Sequence, residues 1–222
     1  MTAPVLPIRQ LESIQRALAL MQAGEMVILP TDTVYGIAIS PDNIAGIARM
    51  YEVHEREPEP ALPFLLSSAR FMEVLARVTK SATKLARRFW PGPLTLILPP
   101  GPDLEPELRT MPIALRVPNY QPLHALLKSA GGYLIATGAL RPGCPPAITA
   151  QEAAEQFGDT VSLILDGGPS PYGIPSTILD CVPEPPIILR RGTLSEDKIW
   201  AALGMKSLSP RSSTLKGTQH LG

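Results

Sequence analysis

The sequence predicts an α/β layered domain: an open sheet with helices packed against it. Three observations lead there. Short apolar runs alternate along the chain with segments of helical periodicity. Turns rich in Pro and Gly separate the two kinds of segment. The runs are apolar at consecutive positions rather than alternate ones, as in strands of a covered sheet. At 222 residues, 45% apolar and 18% charged, the chain has material for one domain core and is not a disordered chain. Residues 10–203 are expected to form this domain. Residues 1–9 read as an N-terminal extension, and 204–222, with three basic and no acidic residues, as a mobile C-terminal tail.

The elements follow in order. Leu11, Ile14, Leu18 and Met21 recur at helical spacing, and Gly24 is a C-terminal stop. Met26–Leu29 reads as a strand ended by Pro30, followed by a polar loop and a second strand in VYGIAIS. Asp42 or Asn43 can cap a helix that carries Ile44, Ile47, Ala48 and Tyr51 on one face. The stretch EREPEPALP interrupts before a strand at Phe64–Leu66. Helical patterns fill about 69–88, WPGP breaks them, and LTLIL (94–98) and IALRV (113–117) are strands. A helix over Asn119–Ala130 stops at Gly131-Gly132, before the strand YLIAT (133–137). Thr149 caps a helix to about Gln156. VSLILD (161–166), STILDCV (176–182) and IILR (187–190) are strands, and Ser195 caps a last helix to about Leu203.

Several function classes are disfavoured by composition. Lys+Arg and Asp+Glu are equal at 20 each, so no global charge draws the chain to nucleic acid or anionic membrane, although a local basic patch is open. Two cysteines, Cys144 and Cys181, exclude a disulfide framework and an all-Cys metal site. A single bridge and two thiols both remain open, the thiols fitting a reducing cytoplasm. The start MTAPVLPIRQLESIQ lacks a basic segment followed by an apolar one, and no run of about 18 apolar residues occurs, so neither a secretory signal nor a membrane span is expected. No metal site and no internal repeat are expected.

Four segments place hydroxyl, Gly or Arg groups at strand ends, where α/β proteins build their sites: PTDTVYG (30–36), FWPGPLTLIL (89–98), IALRVPN (113–119) and LDGGPSPYGIPSTILD (165–180) followed by ILRRG (188–192). Thr31, Thr33, Tyr35, Ser176 and Thr177 offer donors and acceptors to a small polar ligand. Arg116 and Arg190 can fork onto a carboxylate or phosphate. Each segment alone also has a plain structural reading. TDT is a common turn or cap, and WPGP a turn. Arg116, inside an apolar strand, needs an anion that either a protein carboxylate or a ligand would supply. For Arg190, structural pairing and ligand contact are evenly balanced.

In combination, PTDTVYG, WPGPLTL, LRVPN, ILDGG, PSTILD and ILRRG resemble the signatures of the YrdC-like proteins over about residues 10–203. The resemblance implies a twisted, mostly parallel sheet curled around a concave cavity. It also implies L-threonylcarbamoyl-AMP synthesis for modification of adenosine 37 in tRNA. In that reaction the threonine amine and bicarbonate form a carbamate, which attacks the α-phosphate of ATP and releases pyrophosphate. It implies ATP with Mg2+ and bicarbonate as co-substrate. By this resemblance Thr33, Arg116, Ala136 and Ser176 match threonine-binding positions, with Arg116 on the carboxylate, while Arg56 and Arg190 match arginines that face the nucleotide.

The nucleotide half departs from the family pattern. The family's Lys-x-Arg is His54-Glu55-Arg56 here, so His54 replaces a permanent ammonium. An Asn four residues after that Arg is Pro60. Ser-x-Asn after YLIAT is Gly138-Ala139-Leu140. A Thr before the strand arginine is Pro112, and a small hydroxyl residue is Pro146. Each change removes a hydrogen bond or a charge, and Glu55, Glu57 and Glu59 add negative charge beside the expected triphosphate path. Three readings follow: a synthase with a reduced ATP half, a non-catalytic paralogue that binds a small amino acid, and a double-stranded RNA-binding protein. A carbamoyltransferase module like that of hydrogenase maturation proteins ranks below these.

Overall fold

The computed structural model describes residues 2–53 and 61–205. Its strands are β1 (Val5–Pro7), β2 (Val27–Leu29), β3 (Gly36–Ile39), β4 (Leu62–Leu66), β5 (Leu94–Leu98), β6 (Ile113–Arg116), β7 (Tyr133–Gly138), β8 (Leu163–Asp166), β9 (Thr177–Asp180) and β10 (Ile187–Arg190). Its helices are α1 (Leu11–Gln22), α2 (Ile44–Val53), α3 (Arg70–Leu75), α4 (Lys80–Phe89), α5 (Gln121–Ser129), α6 (Ala150–Phe157) and α7 (Glu196–Leu203). The capping arguments hold at two starts. The Asn43 Oδ1 accepts from Gly46 N at 2.9 Å, and Thr149 Oγ1 accepts from Glu152 N at 3.2 Å. At α7, Ser195 makes no side-chain cap bond.

One open sheet contains the described strands in the order β1-β8-β2-β3-β7-β4-β6-β5-β9-β10. The α/β open sheet is as expected, but strand direction is more mixed than the expected mostly parallel arrangement. Among the described residues four pairings are parallel (β1–β8, β2–β8, β4–β6, β5–β9) and five are antiparallel. The six-residue loop between β2 and β3 is too short for a crossover and returns the chain antiparallel. The N-terminal residues also do more than extend the domain. β1 forms the sheet edge beside β8, with Val5 opposite Ile164, and Ile8 is fully buried.

Side chains alternate between two faces, as strand geometry requires. One face carries Ile28, Ile37, Phe64, Leu96, Leu115 and Ile135 into the larger core with residues of α2, α3, α4, α6 and α7. The other carries Val27, Leu29, Ala38 and Leu134 against Ile14, Ala17 and Met21 of α1 and Leu123, Leu126 and Leu127 of α5. Register extends this second face across the sheet. Leu65 lies opposite both Leu134 and Arg116, Ala114 opposite Pro63 and Ile97, and Thr95 opposite Ile178. On this half apolar side chains such as Leu65 and Ile178 mix with Thr95, Ala114 and Arg116, and a cavity opens there.

Candidate functional site

The cavity holds about 100 Å3. Thr33, Arg116, Ala136, Ser176 and Arg190 all line it, so five of the sequence-selected positions converge on one space. His54, Arg56 and Pro60, expected toward the nucleotide, lie outside the described residues.

Arg116 ends β6 and is only 6% exposed. Its guanidinium is fixed on three sides: Nε donates to Gly92 O at 3.1 Å, Nη1 to Thr33 Oγ1 at 2.6 Å, and Nη2 to Asp32 Oδ1 in a buried ion pair. Three of its five N–H donors are spent in this way, and two are left for a ligand. Burial pulls its pKa below the ordinary guanidinium value. Asp32 pulls it back up, and Arg190 adds to the lowering. Gly92 permits the approach of the WPGP loop, because a Cβ there would stand 2.4 Å from Phe89 O.

The two readings of TDT divide between its two threonines. Thr31 builds the turn: its Oγ1 accepts from Thr33 N at 3.1 Å and donates to Val34 O at 2.7 Å. Thr33 turns its hydroxyl to Arg116. A second group lines the same cavity: Ser176 Oγ stands 2.8 Å from Thr95 Oγ1 and accepts from Arg190 Nη2 at 3.2 Å, while Arg190 Nε donates to Ser176 O at 3.1 Å. Arg190 therefore pairs structurally with Ser176 and also lines the cavity.

Two hydroxyls offered as ligand contacts are committed elsewhere. Thr177 Oγ1 donates to Leu194 O at 2.8 Å and accepts from Leu194 N at 3.0 Å. Tyr35, fully buried, donates to Gly168 O at 2.8 Å and accepts from Gly167 N at 3.2 Å; burial, above all, raises its pKa well over the ordinary phenol value. Tyr120 OH donates to Gly167 O at 2.7 Å, so two tyrosines hold the Gly167–Gly168 corner from which the 169–176 loop departs. Asp32 and Thr95 were given no role from sequence. The signal for Asp32 was present: a cation buried in a strand needs an anion, and Asp32 stands in the strand-end motif nearest the ligand hydroxyls.

Besides Thr31, Tyr35, Thr95 and Thr137, the rest of the wall is apolar. Val34, Phe64, Leu140 and Ile178 line it together with Gly138, so the Gly138-Ala139-Leu140 segment faces the cavity without a polar side chain. Ala139 is fully buried, and its amide donates to Tyr35 O at 2.8 Å. Among the described residues no group of three or more His, Cys, Asp or Glu side chains could hold a metal ion. None of their helices is long and apolar enough to cross a membrane. Cys144 is an exposed free thiol and Cys181 a buried one.

The family model described as telomere recombination, covering Sua5, YciO and YrdC, matches residues 19–192. The chain belongs to the Sua5/YciO/YrdC family. Within it, the threonylcarbamoyl-AMP synthase of Bacillus subtilis (strain 168) is 32% identical over 195 residues, which are 86% of this chain and 56% of that protein. The putative threonylcarbamoyl-AMP synthase of Mycobacterium tuberculosis (strain ATCC 25618 / H37Rv) is 32% identical over 206 residues, 91% of this chain and 94% of that one. Among solved structures, P. abyssi Sua5 complexed with L-threonine superposes with a TM-score of 0.84 at 30% identity, over 92% of this chain and 62% of that one. The chain thus spans little more than half of the B. subtilis family member and nearly all of the mycobacterial one.

Proposed function

We propose that this chain binds L-threonine and is a threonylcarbamoyl-AMP synthase whose nucleotide half has lost polar contacts, so that turnover is slow. The observation that carries this reading is the fixed guanidinium of Arg116, buried at the cavity wall with two N–H donors unspent. A carboxylate suits such a planar fork better than it would suit an ammonium. Thr33 and Ser176 offer hydroxyls beside it, and Ala136 gives a small apolar wall. The named family members that make threonylcarbamoyl-AMP, and the threonine complex of P. abyssi Sua5, support the assignment.

The chemistry would join the threonine amine to bicarbonate as a carbamate, whose oxygen attacks the α-phosphate of ATP with pyrophosphate leaving. Transfer of this kind depends on positioning and on groups that stabilise charge spread over phosphate oxygens. Arg190, which lines the cavity, would take that task, with Arg56 and His54 as the expected partners. Gly138 and Leu140 bring no hydrogen bond to it, and each missing polar contact costs about 1–3 kcal/mol. Mg2+ would arrive with the triphosphate. Pyrophosphate release that requires both threonine and bicarbonate is the expected result with purified protein. Absence of threonine binding by calorimetry would reject the reading.

A second reading, an amino-acid-binding paralogue without catalysis, is favoured by the same Gly138 and Leu140. It predicts thermal stabilisation by threonine and none by ATP. Duplex RNA as a partner would show as retention that falls steeply with salt.

A further inference from the structure

Between Val74 and Pro102 the chain carries five cations, Arg77, Lys80, Lys84, Arg87 and Arg88, and no acid, although the whole chain is balanced at 20 of each sign. Four of the five lie on α4. Lys80, Lys84, Arg87 and Arg88 share one helical face, opposite the buried Ala82, Leu85 and Ala86. All four are exposed. Among the described residues none of the four enters an ion pair. The elements beside α4 do carry acids. Glu184 accepts from Ser81 N at 3.2 Å and from Ser81 Oγ at 2.6 Å, and Glu196 of the neighbouring α7 pairs with Arg191, which leaves Asp197 exposed on α7.

Helix stability does not call for this row. Arg87 and Arg88 in the last turn suit the helix dipole, but Lys80 at the first position meets its positive end. Lys80 with Lys84, and Lys84 with Arg88, are like charges four residues apart, an arrangement that destabilises a helix. Solubility is served better by interspersed signs. A single-sign row therefore points to a polyanion. An acidic protein face fits it poorly. Protein interfaces have an apolar centre and few lysines, and no large apolar side chain is exposed between Arg77 and Trp90. A phosphate backbone needs only cations in a line. From Lys80 to Arg88 the row is about 12 Å long, a length over which a duplex carries about seven phosphate charges. Each of the four cations therefore has a phosphate to meet.

We propose that the outer face of α4 is a docking surface for the phosphate backbone of a nucleic-acid duplex, read without regard to sequence. The surface is separate from the cavity. Ala82, Leu85 and Ala86 seat α4 on the larger core, whereas the cavity opens on the other sheet face. Contacts of this kind position a duplex and carry no base specificity. The inference rests on the duplex RNA reading above only for the choice of probe, and is independent of the threonine chemistry.

Lys80→Gln, Lys84→Gln, Arg87→Gln and Arg88→Gln together remove the charge and keep good helix formers. Wild type and this fourfold variant are titrated by fluorescence anisotropy with a labelled RNA duplex of about 20 base pairs, from about 50 to 200 mM salt. The slope of log affinity against log salt should be shallower by about 3–4 in the variant, and its low-salt affinity about tenfold weaker or more. Urea unfolding should show no loss of stability, because like-charge pairs are relieved. Arg16→Gln with Lys128→Gln, on α1 and α5 against the other sheet face, should leave the slope unchanged. Should the fourfold variant fail to fold, Lys84→Gln with Arg88→Gln decides by half the change in slope. A variant with the wild-type slope overturns the proposal while leaving RNA binding elsewhere on the molecule. A wild type that retains no duplex at low salt overturns it together with the RNA reading. Poly-L-glutamate that displaces the duplex at equal charge also overturns it, in favour of an acidic protein. A wild type that retains the duplex through α4 but binds no threonine supports this surface and rejects the threonine reading alone.

Discussion

The two ends of the cavity are built on the same sheet face and differ in how their side chains depend on one another. At one end Arg116, Thr33, Asp32 and Gly92 form one hydrogen-bonded group, and Thr95, Ser176 and Arg190 form another. These residues come from β5, β6, β10 and three loops, so this end ties distant segments together. At the other end Val34 and Leu140 line the wall with apolar side chains and Gly138 brings none. A polar group at the linked end cannot be removed without stranding its partners. At the packed end, small and apolar residues can replace polar ones with the backbone unchanged. The two halves of such a site can therefore diverge at different rates.

Removing the central link should give the largest effect. Arg116→Ala leaves Asp32 buried and unpaired, and breaking a buried pair in this way costs about 3–5 kcal/mol. Urea unfolding should register that loss, and calorimetry should find no threonine binding. Leu140→Ala, at the packed end and half-buried, should cost under about 2 kcal/mol and spare threonine. Equal losses from the two truncations would break the comparison.

Ser176→Ala tests the second group more gently. It takes from Thr95 a hydroxyl at 2.8 Å and from Arg190 one at 3.2 Å. About 1.4 kcal/mol of ligand binding should go with it, a tenfold weaker threonine affinity, and urea unfolding should show a loss of about 1 kcal/mol from the stranded Thr95 hydroxyl. Unchanged affinity would show that Ser176 only buttresses the wall.

Much of this architecture was legible in the sequence because local rules decide it. Ile14 and Met21 are buried on α1 and Leu18 is partly buried, with Leu11 at the helix start exposed, and Gly24, at φ +87°, ends the helix as only glycine does easily. Where long-range contacts decide, the reading failed. Val5–Pro7 falls in what reads as an N-terminal extension, yet pairs with β8 at the sheet edge, where proline is well tolerated. The helical pattern expected over 69–88 divides into α3 and α4 because Ala76 bridges to Pro100 and Arg77 N donates to Pro99 O at 2.9 Å. Strand direction was beyond periodicity altogether. Within the site, residue types pointed to Thr33, Arg116, Ser176 and Arg190. The need of Arg116 for an anion was legible too, but naming Asp32 as that anion takes the fold, since the pairing of β4 with β6 and of β5 with β6 fixes where Arg116 stands.

The smallest effect concerns the packed end, and it tests whether that end lost its polar groups without losing its shape. A Cβ on Gly138 would meet Leu140 Cδ2 at 3.6 Å and Val34 Cγ2 at 3.8 Å, ordinary contacts that leave room for a serine. Its backbone sits in β7 opposite Gly36, so the strand would present the new hydroxyl with no change of register. Leu140 borders the same space, and asparagine there has a similar length. Gly138→Ser with Leu140→Asn should therefore raise ATP affinity about fivefold, the return on roughly 1 kcal/mol of net hydrogen bonding. Threonine affinity should stay as it was, because none of the hydrogen bonds that fix Arg116 involves either residue. A gain in ATP binding matched by a loss in threonine binding would mean that the two ends are coupled through the sheet, and that the independence argued for them does not hold.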